Sequence, residues 1–253
     1  MDADAGLSGV CAIHLHGSVE APSAMSDDRF NIMAAVAQRL RAGVMPPAGR
    51  LEHPGAPVVS EPSLSRDDLI AHFTAEAEAL TVVVHRVADD ALAVSKVRDE
   101  IVRRGPRVLA WDDKWLNCQG LADSLRASGI TLEPCWLPRD ATERRQRLAE
   151  LDDVAVGLTG AAAGLADTGS LALVSGPGRG RIASLLPPLH IAVLRVSQLH
   201  ATYAAFLAAH PGIEDVGSNL VLVTGPSRTA DIEMTLTRGV HGPGEVHVVL
   251  IDA

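Results

Sequence analysis

From residue 65 to the C-terminus, short apolar runs alternate with longer stretches of mixed polarity. LTVVVHRV (80–87), RVLAW (107–111), residues 130–135, VAVGLTG (154–160), SLALVSG (170–176), HIAVLRV (190–196), NLVLVTG (219–225) and VHVVLID (246–252) have the length and aliphatic content of buried strands. Between them, 67–79, 89–104, 119–128, 141–150 and 197–209 predict helices. Strands alternating with helices define an α/β protein. The expected core is a Rossmann-like, mostly parallel sheet with helices on both faces. The tighter spacing between 154 and 176 predicts one hairpin-like or mixed section.

The first 64 residues read differently. Residues 1–24 mix Gly, Ser, Ala and Pro with little periodicity and are expected to be a disordered or mis-started extension, with Met25 as the native start. Ser26 then caps a helix whose Phe30, Met33, Val36, Ala37 and Leu40 share a face, and a Pro/Gly-rich extended segment runs to about residue 64. The expected organisation is therefore 1–24, 25–64 and a main domain over 65–253.

Composition narrows the function. Apolar residues make up 47% of the 253 positions but aromatics only 3%, so the core is Ala, Val and Leu, which suits helices packed closely on a parallel sheet. A net charge of −9 argues against nucleic-acid or anionic-membrane binding, which needs a basic footprint. Cys11, Cys118 and Cys135 are too scattered for a disulfide framework or a four-cysteine cluster, so a reducing, cytoplasmic location is expected. No uncharged run approaches the roughly 20 residues of a membrane helix.

The candidate chemistry lies in three Gly/Pro-framed loops: SGPGRGR (175–181), TGPSRTADIE (224–233) and GVHGPGE (239–245). Ligands of open α/β sheets bind outside the carboxyl ends of strands, where the loops after Val174 and Val223 are expected. In the first loop, glycines let backbone N–H groups turn inward as an anion nest, and Arg179 and Arg181 add bidentate donors. A solvated surface turn is the bland alternative. Thr159 and Thr168, at neighbouring strand ends, complete the expected anion-binding set. In the second loop, Ser227 or Thr229 is expected to cap a helix starting near Arg228, whose free N–H groups attract an anion. Asp231, Glu233 and, in the third loop, His241 are the acid–base candidates.

Other signals point to structure. His190 reads as a hydrogen-bonded core residue and Cys118 as a small buried hydrophobe. His14 and His16 form an H-x-H without a third ligand nearby, so no metal site is expected. Neither the Walker phosphate loop nor a G-x-G-x-x-G after a first strand is present, and no cofactor is expected.

ADTGSLALVSGPGRGRIASLLPPLHIAVL, followed by TGPSRTADIEMTLTRGVHGPGEVHVVLID, strongly resembles the LUD-domain family in its lactate-utilisation protein C branch. The likeness is close over about 150–253 and looser over 25–149. It implies a fold similar to the sugar-phosphate isomerase and CoA-transferase superfamily. It also implies a role in oxidising L-lactate to pyruvate with iron–sulfur partner subunits. Two other readings stand beside it: a transferase or isomerase acting on a phosphorylated or CoA-linked substrate, and a non-catalytic assembly subunit.

Overall fold

The computed structural model describes residues 64–213, 217–230, 236–238 and 242–253, together with the single position Ala34. Helix α1 (Arg66–Ala79) starts where Ser65 and Asp68 cap each other, the Ser65 hydroxyl accepting the Asp68 N–H and the Asp68 carboxylate reaching back. Its buried face is Ile70, Phe73 and Ala77. Asp89 caps α2 (Asp90–Val102) and Asp140 caps α4 (Ala141–Glu150), each carboxylate accepting first-turn N–H bonds. Helices α3 (Leu121–Ala127) and α5 (Tyr203–Ala209) are two turns each.

Strands β1 (Val83–Val87), β2 (Arg107–Ala110), β3 (Thr131–Pro134), β4 (Val156–Gly160), β7 (Leu189–Arg195) and β12 (Glu245–Ile251) form one sheet in the order β1-β12-β7-β4-β2-β3. Every pairing in it is parallel. All of β4 and nearly all of β7 and β12 is buried, so both faces of the sheet's middle are covered. The expected α/β architecture is the one observed.

The sheet is not continuous with every apolar run. Strands β5 (Ala163–Leu165), β6 (Ser170–Ser175), β8 (Leu199–His200) and β9 (Asn219–Val223) form a second sheet in the order β8-β5-β6-β9. The tight turn at Asp167–Gly169 forces β6 antiparallel to β5, which is the hairpin that the short spacing predicts. Gly169 takes a φ of 62° there, and a side chain on it would run into the Ala77 backbone of α1. Strand β9 returns antiparallel to β6.

Two local expectations fail. The helix predicted over 197–209 begins only at Tyr203, because Leu199 and His200 pair with β5 and Thr202 supplies the cap. No helix starts at Arg228. Arg228–Ala230 is a strand (β10) paired antiparallel with Leu236–Arg238 (β11). Thr229 and Thr237, paired across the two strands, are β-branched and favour a strand over a helix. With that helix goes the helix-terminus anion site expected at Ser227 and Arg228. No helix among the described residues is long and apolar enough to cross a membrane.

Candidate functional site

Beyond the carboxyl end of β2 come Trp111 and Asp112, and beyond β3 come Cys135 and Trp136. The loop after β6 closes over both. Gly176 and Arg179 exchange backbone hydrogen bonds of 2.9 and 3.2 Å around Pro177 and Gly178. Proline at the second position and a φ of 74° at Gly178 make this a type II turn. The Gly178 carbonyl accepts the Asp112 N–H at 2.9 Å, and the Gly180 carbonyl accepts the Trp111 indole N–H at 3.1 Å. The Gly180 N–H donates to the Cys135 sulfur at 3.0 Å. A Cβ at 178 would strike the Asp112 carboxylate and one at 180 the Cys135 carbonyl. These glycines are required for close approach, and the loop is fastened to the sheet end rather than left as a free turn.

Two cavities flank this loop. The outer, of about 460 Å³, lies between Asp112, Cys135, Trp136, Leu137, Gly178 and Arg181. The inner, of about 140 Å³, is bounded by Trp111, Trp115, Asn117, Ala161, Arg179 and Gln198. Arg179 is only 7% exposed. Its guanidinium lies 3.9 Å from the centre of the Trp115 ring, a cation–π contact. Burial pulls its pKa below the ordinary arginine value, yet a guanidinium stays charged at neutral pH.

The inner wall is built of side-chain amides. Asn117, at a φ of 55°, donates to the Ala161 carbonyl at 2.7 Å, the Val193 carbonyl at 3.1 Å and the Gln198 side chain at 3.2 Å. Gln198 donates to the Ala161 carbonyl at 3.0 Å and accepts the Arg195 N–H at 2.9 Å. These bonds tie together the ends of β4 and β7. The Trp115 indole N–H is buried without a hydrogen-bond partner among the described residues. One buried cation and one buried unfilled donor line the same small cavity. Such an arrangement can hold an anion of carboxylate or phosphate type.

The residues singled out from sequence scatter. Arg179 and Arg181 come together on the loop, Arg179 against the inner cavity and Arg181 exposed at the outer one. Thr159 is fully buried inside β4, its hydroxyl 2.9 Å from His190 Nε2. Thr168 lies exposed in the β5–β6 turn, bonded to Asp167. Ser227 is part-buried and its N–H donates to the Pro243 carbonyl. The backbone of Arg228 belongs to β10. Asp231, Glu233 and His241 lie outside the described residues, as do residues 1–33 and 35–63 with the expected extension and N-terminal helix.

The loops also separate in space. A side chain on Gly225 would touch Leu80, just ahead of β1, while Pro243 and Gly242 adjoin Ser227 just ahead of β12. These are the amino ends of the parallel strands. Because β9 runs antiparallel to β6, its carboxyl end points away from the Arg179 cavity, contrary to the expectation for the loop after Val223. Trp111, Trp115, Asn117 and Gln198 were not among the sequence candidates. The string WDDKWLNCQG directly after a predicted strand is the signal that marks three of them.

His190 is wholly buried, and burial pulls its imidazole down to about 4. Burial, with the nearby Asp90 carboxylate, pushes the Cys118 thiol up to about 11. Both fit the structural roles read from sequence.

Fold and site together define an α/β protein with an anion-suited cavity at the carboxyl ends of a parallel sheet. The LUD domain matches residues 70–251, and the chain belongs to that family. It is 32% identical over 191 residues to lactate utilization protein C of Shouchella clausii, spanning 74% of this chain and 81% of that protein. It is 31% identical over 195 residues to the protein of the same name in Halalkalibacterium halodurans, with the same coverage. A DUF162 family protein from Deinococcus radiodurans has a similar fold, with a TM-score of 0.53 at 20% identity over 74% of this chain and 99% of that one.

Proposed function

We propose that this protein serves lactate utilisation, as a component of a system that oxidises L-lactate to pyruvate and hands the electrons to iron–sulfur partner subunits. The reading is carried by the similarity to lactate utilization protein C over about four-fifths of those relatives' length. The cavity geometry supports it. Arg179 is the anchor for the carboxylate of a lactate-sized acid, with the buried Trp115 indole N–H as a further donor and Arg181 at the rim. Lactate oxidation releases electrons, and three scattered cysteines offer no cluster to receive them. Partners take that part in this reading, in a cytoplasmic setting.

His241, Asp231 and Glu233 stay acid–base candidates from the sequence alone and are given no part at the lactate carboxylate held by Arg179. Their described neighbours Ser227 and Gly242 adjoin the amino ends of the strands, so the carboxyl-end cavity is assigned binding alone.

Deletion of the gene tests the reading. Growth on L-lactate should be lost while growth on pyruvate is kept, and wild type should restore it. Arg179→Gln, expressed and folded to the wild-type level, should restore growth poorly. Undiminished lactate oxidation in the deletion strain would refute the proposal.

A further inference from the structure

At the other side of the molecule, three ligand-type side chains converge that neither the sequence reading nor the lactate proposal uses. His247 on β12 stands opposite Val83 of β1, and His85 lies two residues further along β1, so both imidazoles share a face of the sheet. Glu100 comes from α2 on that same face. The ligand atoms of all three lie within 4.8 Å of one another. Glu100 is 4% exposed and His247 7%.

The hydrogen-bond pattern leaves the two imidazoles unfinished. His85 Nε2 is 3.9 Å and His247 Nδ1 3.8 Å from the Glu100 carboxylate, too far for a hydrogen bond. Both nitrogens are buried and have no other hydrogen-bond partner among the described residues. The opposite nitrogen of His247 lies 3.8 Å from the Glu245 carboxylate.

From these positions we propose a divalent-cation site of zinc type, formed by His85 Nε2, His247 Nδ1 and the Glu100 carboxylate. Two imidazoles and one carboxylate are a recurrent zinc ligand set and leave a fourth position for water. Closure from the present spacing needs side-chain movement of under about 1 Å, since zinc ligands lie about 2.0–2.2 Å from the ion.

Three cations compete for Glu100: Lys96 at 3.3 Å, Arg103 at 3.2 Å and Arg104 at 3.4 Å. Arg104 is also engaged by Glu245, and Arg103 is 66% exposed and can swing into water. The competition makes a distinctive forecast. Removing Arg103 should strengthen metal binding, which no purely structural ion cluster would do.

The test uses the full chain carrying His14→Ala and His16→Ala, so that the N-terminal H-x-H does not contribute. Titration with Zn²⁺ should show one ion per chain, and Co²⁺ should give the intense visible absorption of a four-coordinate site. His247→Gln and Glu100→Gln should each weaken Zn²⁺ binding at least tenfold, and Arg103→Ala should tighten it severalfold. Circular dichroism and melting in EDTA check that each variant is folded; Arg103→Ala, altered on the surface, carries the test if the buried variants unfold. Absence of stoichiometric binding overturns the site. So does binding that survives His247→Gln, or that Arg103→Ala leaves unchanged.

Discussion

A methyl group at position 180 would overlap the Cys135 carbonyl, whereas one at Gly105 would meet nothing within 4 Å. Both residues are glycine in the sequence, and nothing in the string distinguishes them. Gly180→Ala is expected to lower unfolding free energy by about 1–3 kcal/mol through a forced backbone shift. Gly105→Ala meets no atom and carries only the strain of its φ of 128°, about 1–3 kcal/mol. Urea unfolding of Gly180→Ala checks the clash, and an unchanged midpoint would remove the close-approach argument. That SGPGRGR sets two arginines on a tight turn at a strand end was legible because glycine and arginine chemistry is local. Trp115, Asn117 and Gln198 were not, because Asn117 meets its partners 44, 76 and 81 residues away.

Between elements, the junction of β7 with α2 depends on one ion pair. Arg195, at the end of β7, donates to both oxygens of Asp90 at 2.7 and 2.8 Å, and Asp90 also accepts the Gln119 N–H at 2.9 Å. One Arg195 nitrogen holds this pair while the other donates to the Ala253 carbonyl, and with about a quarter of each side chain exposed it is better shielded from water than a surface contact. Arg195→Ala should therefore destabilise by about 1–2 kcal/mol, and Arg126→Ala, whose pair with Asp113 is half exposed, by less than about 1 kcal/mol. Thermal unfolding of both variants decides the order. Strands and capped helices were readable because periodicity and caps are properties of neighbouring residues. The division into two sheets was not. An apolar run such as SLALVSG is equally suited to either sheet, and only the turn before it sets its direction. The β10–β11 ribbon escaped for a related reason: Ser and Thr after Gly-Pro resemble a helix cap until the pairing partner eight residues on is known.

For the molecule as a whole, acid stability is a collective property. His190 titrates at about 4 in the folded protein against about 6.5 in the unfolded chain. Between those values the unfolded chain binds the extra proton, so stability falls as pH drops from 6.5 to 4, and this group contributes nothing further below that. The slope should be about 1.4 kcal/mol per pH unit for this histidine. Glu133, where Arg107 and Arg147 outweigh burial and keep the pKa low, adds its loss only further down, below its ordinary value. Chemical denaturation from pH 7 to 4 should show this decline, and His190→Gln should flatten it; an unchanged slope would place the acid sensitivity elsewhere.

The Gly180–Cys135 hydrogen bond has one more consequence. The sulfur that accepts it is 5% exposed, and burial holds its thiol above the ordinary pKa, so it is poorly reactive while the loop is closed. Although Cys135 borders the outer cavity, its sulfur should react slowly there and faster when residues 176–181 lift away from the end of β3. The cysteine thus works as a clock: its modification rate counts how often the roof over the arginine cavity opens.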